Sequence, residues 1–576
     1  MHVNKKDVIR LLEKIAIFLE LKGENTFKVS AYRKAAQALE RDERSLYEIE
    51  DVTQMKGIGK GTAAVIKEYM ETGKSETLQQ LEKEVPEGLL PLLQLPGMGG
   101  KKVAKLYHEL GVIDMASLKK VCESGKVASL AGFGEKTVGK ILKSIEEAGK
   151  RPERFPIVFM LPIADHIQQV LSSITAIQRY SLAGSLRRGQ ETVKDLDFII
   201  STENSDAVRT ELLDKLAVKE IVANGDTKVS VIINDSYDVS IDFRLVSDDQ
   251  FATTLHHFTG SKDHNVQMRK LAKEKGEKIS EYGVENLESG EVITFSSEED
   301  FFHHFGLDFI PPEIREGTDE VETYKNLEGN LISLEDIVSD LHMHTTFSDG
   351  AHSLEEMIQN AQSLGYYHLA ITDHSKFLKV ANGLDENRIR QQQKKIKEWN
   401  QEHSDFKVLS GTEMDILPDG SLDFDDDFLS SVDFVIGSIH SAFSQPKEQI
   451  MKRLRNAMEN PHVDMIAHPT GRVLGRRTGY EIDVETLLKW ATETKTIIEL
   501  NANPNRLDLS WRYLRKAQEM GALIAINTDA HNIDMLKDMK LGVKMARKGW
   551  VRKETVVNTW STEKLEEFLR TDKALR

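Results

Sequence analysis

The strongest constraint on this chain is a rhythm running through residues 337–576. A short apolar run is followed by a polar cluster and then by a helix-like stretch. The runs are Leu369-Ala-Ile-Thr372, Phe434-Val-Ile-Gly437, Asp464-Met-Ile-Ala467, Ile497-Ile-Glu-Leu500 and Leu523-Ile-Ala-Ile526. Short continuous runs bounded by polar residues suit buried parallel strands, and the helices between them supply the crossovers. The spacing predicts an α/β barrel with its chemistry at the C-terminal ends of the strands.

Ligand-type residues occupy those ends. They fall in Asp340-Leu-His-Met-His344, Asp349, Thr372-Asp-His374, Gly411-Thr-Glu413, Ser438-Ile-His440, Ala467-His-Pro469 and Asn527-Thr-Asp-Ala-His531. His342 and His344, two apart on a strand, face the same way and suit a divalent transition metal. A lone histidine beside a strand is usually structural; repetition at successive barrel ends is not expected on that account. His256, His303, His304, His352, His368, His403 and His462 fall outside the pattern and are read as surface or packing residues. Arg472, Arg476 and Arg477 follow His468. Two readings stand for them: cations that steer a phosphate backbone, or a solvated loop.

A second chemical signal lies upstream. Strand-like segments cover 194–200, 229–233 and 238–245. The last alternates strictly, with Val239, Ile241, Phe243 and Leu245 on one face and Asp238, Ser240, Asp242 and Arg244 on the other. Asp195 and Asp197 share a face of the first segment and repel unless a cation sits between them. Asp-x-Asp alone is most often a solvated strand face. Here it follows Gly184-Ser-Leu-Arg-Arg-Gly189, and Asp242 stands on a later strand. Three converging carboxylates can hold two Mg²⁺ or Mn²⁺ ions, one activating a primer hydroxyl and one holding a triphosphate. Asp242 is placed to bridge to the attacking hydroxyl. Gly184 and Ser185 permit close approach to phosphates, and Arg188 offsets developing charge.

Residues 1–150 are expected to be helical, with Val8, Leu11, Leu12, Ile15 and Leu19 at helical spacing. A short pattern recurs three times: Met55-Lys-Gly-Ile-Gly-Lys60, Leu95-Pro-Gly-Met-Gly-Gly-Lys101 and Leu130-Ala-Gly-Phe-Gly-Glu-Lys136. Gly-x-Gly turns expose backbone N–H groups at a helix start, where they hold phosphate without reading sequence. The residues concerned are Gly57, Gly59, Lys60, Gly97, Gly99, Lys101, Gly132 and Gly134. The third copy, with Glu135 before its lysine, is the weakest DNA contact.

Composition sets the remaining bounds. With 576 residues, several domains are required. The net charge of −17 argues against nucleic acid only superficially. Residues 1–150 carry 25 Lys+Arg against 22 Asp+Glu, so +3, and the rest carries −17 − 3 = −20. The acid lies where metal sites are expected, so DNA affinity should be local and salt-sensitive. One cysteine, Cys122, excludes an intrachain disulfide and a multi-cysteine zinc site. The charged N-terminal stretch reads as an amphipathic helix, not a signal peptide, and no apolar run spans a bilayer. A cytoplasmic monomer is expected.

Two resemblances then become specific. Gly-Ser-x-Arg-Arg-Gly followed by Asp-x-Asp resembles the palm of DNA polymerase beta and its relatives, with catalytic residues Asp195, Asp197 and Asp242. Phe258-Thr-Gly260-Ser, Asn265, Met268-Arg269 and Glu281-Tyr282 resemble that family's nucleotide-binding thumb, and Ala31-Tyr-Arg-Lys-Ala-Ala36 its N-terminal domain. The resemblance implies that Phe258 packs under the sugar, Asn265 contacts the nucleotide in the minor groove and Arg269 reaches the templating side. His257 stands where the vertebrate enzyme has Tyr, which bears on ribonucleotide discrimination. Val65 stands at the family's Schiff-base lysine, so the domain is expected to bind 5′-phosphate ends with little or no lyase activity. Residues 337–576 resemble the PHP (polymerase and histidinol phosphatase) family, an irregular (β/α)₇ barrel with a trinuclear centre. That resemblance implies nine ligands: His342, His344, Asp349, His374, Glu413, His440, His468, Asp529 and His531. Mixed imidazole and carboxylate ligation suggests Mn²⁺ or Zn²⁺, up to three ions, and the fusion favours Mn²⁺.

The expected fold is multidomain α and α/β. Helix-hairpin-helix domains span 1–88 and 89–150, a nucleotidyltransferase-type α+β palm 151–245 and a thumb 246–315. A linker follows at 316–336, then the distorted (β/α)₇ PHP barrel at 337–576. The whole resembles bacterial family X DNA polymerases. The resemblance implies gap filling on primer-template DNA with deoxynucleoside triphosphates, joined to a 3′→5′ exonuclease; abasic-site cleavage is a related reading. Two alternatives stand beside it. A polymerase fused to a small-molecule phosphatase would release phosphate and spare DNA ends. A catalytically weak end-binding scaffold would not need the full carboxylate and ligand sets.

Overall fold

The computed structural model describes residues 5–40, 42, 49, 51–95, 98–130, 132–148, 153–234, 237–324 and 331–576. The N-terminal part is helical. Helices Lys5–Lys22 and Thr26–Glu40 pair, and Lys60–Thr72, Glu76–Glu84 and Gly100–Leu110 pack around them. The apolar stripe Val8, Leu12, Ile15 and Leu19 is buried. One hydrophobic cluster runs from Val8 to Ile145. The expected boundary at 88/89 therefore separates two hairpin units but not two cores, because helix Lys5–Lys22 packs on Gly100–Leu110.

The palm is a five-stranded sheet in the spatial order Arg179–Leu182, Asp195–Ser201, Asp238–Val246, Lys228–Asn234, Val218–Asn224. Asp195–Ser201 and Asp238–Val246 run parallel, and the other pairs are antiparallel. The inward residues Val239, Ile241, Phe243 and Leu245 are buried as their alternation requires. Phe198 and Phe243 stack at 5.7 Å between centroids. The thumb combines helices Phe251–Thr259, Lys262–Glu274 and Glu298–His304 with a small antiparallel sheet. Under it lies a fully buried cation, Arg315, paired with Glu298 at 2.5 Å; Glu298 also accepts from Arg187 at 2.5 Å.

The expected linker at 316–336 is not a tether over its first nine residues. Glu320 is buried and lies 2.9 Å from His264 Nδ1, and Asp319 accepts two hydrogen bonds from Arg515 at 2.8 Å. Tyr324 and Leu331 join Trp550 in the thumb core. The polarity that suggested a loop belongs to tertiary pairs, one buried and one partly exposed, which sequence pattern does not distinguish from solvated charge.

The C-terminal part is a seven-stranded parallel sheet in sequential order: Ser339–Asp340, His368–Ile371, Lys407–Asp415, Phe434–Ser438, Met465–Ile466, Ile497–Asn501 and Ile524–Asn527. A parallel bridge between Met343 and Ala530 joins the first and last strands, so the barrel is nearly closed. Among the described residues, no helix is long and apolar enough to cross a membrane.

Candidate active sites

The palm brings its three acids together through strand register. Asp197 is paired with Asp242 across the parallel strands, and Asp195 with Ser240. All three acids therefore project from one face at one end of the sheet. Burial, then the charges of Asp195 and Asp242, push the Asp197 carboxyl up to about 7. Lys228 reaches Asp242 at 2.9 Å, and Ser230 donates to it at 2.6 Å. The pair acts against the same repulsion that a divalent cation would relieve, so the acids fit a metal site. Gly184 has φ 63°, and a Cβ there would lie 2.2 Å from Asp197 Oδ2. Only glycine lets the Gly184–Ser185 turn come this close to the acids.

The nucleotide-side residues lie on the thumb helices Phe251–Thr259 and Lys262–Glu274. Arg244 lies over the Phe258 ring at 4.5 Å. Asn265 Nδ2 donates to the His257 carbonyl at 2.8 Å, and Arg269 Nε to the Asn265 carbonyl at 3.1 Å. His257 faces Glu281 at 3.9 Å. Gly260, with φ 68°, ends the helix Phe251–Thr259. Arg188 is turned toward the thumb: Nη1 donates to the Thr259 carbonyl at 2.5 Å and Nε to Glu316 at 3.3 Å. It is thus not a free cation awaiting phosphate in this state.

The barrel gathers all nine of its expected ligands at one end. His344, Asp349, His374 and His531 form one group, His342, His344, Glu413 and Asp529 a second, and His374, Glu413 and His440 a third. His468 Nε2 joins them, 2.8 Å from Glu413 Oε1. Glu413 Oε2 lies 2.8 Å from His374, 3.4 Å from His342 and 3.5 Å from His344, yet makes no hydrogen bond of proper geometry. Glu413 Oε2, buried among three imidazoles without a hydrogen bond, fits a polynuclear metal site, although other ligands meet directly, as His344 and Asp529 do at 3.1 Å. Burial opposes charge on His440, but Glu413 and Asp415 raise it to about 10. Burial and the nearby His531 and His374 depress His344 to about 3. These opposed shifts mark one coupled cluster.

Sequence reasoning missed the acids that hold these ligands. Glu499 lies 2.7 Å from His342 Nδ1 and accepts from the His468 backbone N–H at 2.7 Å. Asp373 accepts from the Thr345 N–H at 2.8 Å, the Thr345 hydroxyl at 2.7 Å and Gln392 at 2.6 Å, tying down the loop after His344. Asp415 stands 3.3 Å from His440 Nδ1. Such carboxylates set the tautomer and orientation of a ligating imidazole. Glu499 inside the apolar run Ile497-Ile-Glu-Leu500 was the available signal. Of the two readings for the arginines after His468, neither fits Arg472. It pairs with Glu191 at 2.7 Å and 3.1 Å and thus belongs to the palm–barrel contact. Arg477 lies over Phe443 at 4.1 Å. Arg506, not singled out before, stands 3.7 Å from Asp529.

In the helical part, Gly59 caps Lys60–Thr72 and Gly99 caps Gly100–Leu110; Gly57 and Gly132 take φ 110° and 96°. Gly134 precedes Glu135–Ala148. Gly97 lies outside the described residues. Lys60 and Lys101 are exposed at the first turns of their helices. Val65 is buried in the helical core, where no reactive amine replaces it. The double substitution Lys60→Ala with Lys101→Ala should lower the slope of log affinity against log salt by about 2, measured on gapped duplex. An unchanged slope would remove these turns from the DNA contact.

A polymerase-type palm and thumb on helical hairpins, followed by a PHP-type barrel, define a polymerase joined to a phosphoesterase domain. Family models match in that order: a helix-hairpin-helix domain at 3–75, a SAM-like helix-hairpin-helix tandem at 89–147, the DNA polymerase beta thumb at 254–316 and the PHP domain at 340–503. A Bacillus subtilis (strain 168) protein named DNA polymerase/3'-5' exonuclease PolX is 59% identical over 568 residues, covering 99% of this chain and 100% of that one. The chain belongs to the bacterial family X DNA polymerases. Proteins of Thermoanaerobacter sp. (strain X514) and Acetivibrio thermocellus named as probable phosphatases are each 28% identical over 41% of this chain, covering 96% of theirs.

Proposed function

We propose that this protein fills short gaps during DNA repair and trims 3′ ends at a second centre in the same chain. The observation that carries the reading is the presence of two separate acid- and imidazole-rich centres, one in the palm and one in the barrel. In the palm, Asp195, Asp197 and Asp242 would hold two Mg²⁺ or Mn²⁺ ions. Such ions supply activation of the primer hydroxyl and neutralisation of the triphosphate. The chain's own part is placement. Gly184 and Ser185 admit the phosphates, Phe258 and His257 flank the sugar, and Asn265 and Arg269 set nucleotide and template.

In the barrel, the nine ligands would hold up to three Mn²⁺ or Zn²⁺ ions. Ions there would supply a hydroxide nucleophile and a clamp on the phosphodiester. Glu499, Asp373 and Asp415 keep the ligating side chains in register, and Arg506 supplies a cation beside Asp529. The single cysteine suits a reducing compartment, so the cytoplasm is the proposed location.

A 5′-labelled gapped duplex with deoxynucleoside triphosphates and Mn²⁺ tests the reading in one lane. Extension by one part and shortening from the 3′ end by the other are expected. Release of phosphate from small phosphomonoesters, with extension intact and 3′ ends untouched, would replace the exonuclease half with the phosphatase reading.

A further inference from the structure

The turn that would carry the triphosphate is gripped from behind by the barrel domain. Its helix, Gly184–Arg187, has four residues. A helix of one turn does not hold itself in water; its geometry must come from tertiary contacts. Beside the palm strand Asp195–Ser201 and the thumb helix Phe251–Thr259, the helix Met539–Lys548, some 350 residues later, supplies part of those contacts. Lys544 Nζ donates to the Leu186 carbonyl at 3.0 Å. Lys548 Nζ donates to the Arg188 carbonyl at 3.0 Å, to the Glu313 carbonyl at 3.1 Å and to the Glu316 carboxylate. Gly189 packs so closely that a Cβ would lie 2.8 Å from Met545 Cε. Glu191, two residues on, pairs with Arg472 and accepts from Ser510 at 3.0 Å.

Lys548 is 1% exposed. A buried ammonium is tolerated only when its hydrogens are matched, and here three acceptors meet three donors. The shared acceptor is informative. Glu316 Oε1 also accepts from Gln190 at 2.8 Å and from Arg188 Nε at 3.3 Å. Lys548 and Arg188 thus share one carboxylate. A cation from the barrel fixes Glu316, and Glu316 in turn fixes where Arg188 rests beside the turn.

We propose that Lys548 and Lys544 of the barrel domain are positioning residues for nucleotidyl transfer. They hold the Gly184–Gly189 turn in place, and Lys548 anchors the Glu316 carboxylate on which Arg188 also rests. The inference rests on the polymerase reading above. It makes the phosphoesterase domain part of the nucleotide-binding scaffold, not an appended activity.

The test uses the full-length chain carrying Lys548→Met, Lys544→Met, or Lys548→Met with Glu316→Gln. KM and kcat for nucleotide incorporation are measured on gapped duplex, and 3′→5′ degradation on single-stranded DNA. Each single variant should raise the nucleotide KM about tenfold, with degradation within about twofold of the parent. The double variant should recover much of the loss, because the buried carboxylate is neutralised with its partner. Parental KM in both single variants would overturn the inference. So would a parallel fall of both activities, which is what a merely structural contact predicts. A parent that fails to extend primers would instead refute the polymerase reading itself.

Discussion

Glu413→Gln should lower 3′→5′ degradation by about 10³-fold, roughly 4 kcal/mol of transition-state stabilisation, and leave primer extension at the parental rate. Glu413 belongs to two of the three ligand groups, and its oxygens also reach His440 and His468. Its carboxylate thus faces five imidazoles of the nine-ligand set. Burial opposes its charge, but His440, His374 and His342 hold it well below the usual carboxylate range. Glutamine keeps the volume and removes the charge. Metal content by elemental analysis should fall together with degradation. Full metal content with full degradation would remove Glu413 from the centre.

Asp197→Asn should do the reverse. Extension should fall by about 10³-fold or more while degradation continues. The same change should stabilise the metal-free protein, which separates it from ordinary damage. Asp197 sits beside Asp242 on the parallel strands, with Asp195 on the same face. Its folded pKa, pushed to about 7 by burial and those two charges, lies above its unfolded value near 4. The folded state therefore holds the proton more tightly. Stability from this group is complete below about pH 4 and is lost as pH rises toward 7. Asparagine removes that loss. The melting temperature in chelator should exceed the parent's at pH 8 and converge with it near pH 4. A lower melting temperature at pH 8 would show that the acids do not repel one another.

Much of the two centres was legible in the chain because strands transmit pattern directly. The alternation at 238–245 placed Asp242 on the polar face, and register then set it opposite Asp197. The barrel ligands were legible for a related reason. A parallel strand delivers its last residue to the same end as its neighbours, so each His or acid that closes an apolar run arrives at a shared rim.

What escaped was of another kind. Glu499 serves His342 on another strand and Asp373 the loop after His344; an acid inside the apolar run at 497–500 marked the first, but nothing local showed what either would meet. The residues at 316–324 look like a tether, yet they are pinned by His264, Arg515 and Lys548 from three parts of the chain. Arg472 follows a metal ligand in sequence but serves Glu191 in space.

From the order of residues alone came the strands, the helices and the chemistry at their ends, because backbone geometry repeats every two or 3.6 residues and side-chain type is local. Only the tertiary structure decided which buried charges face one another. An ion pair between distant segments has no period; it exists because folding removes both groups from water, and each must find its partner there.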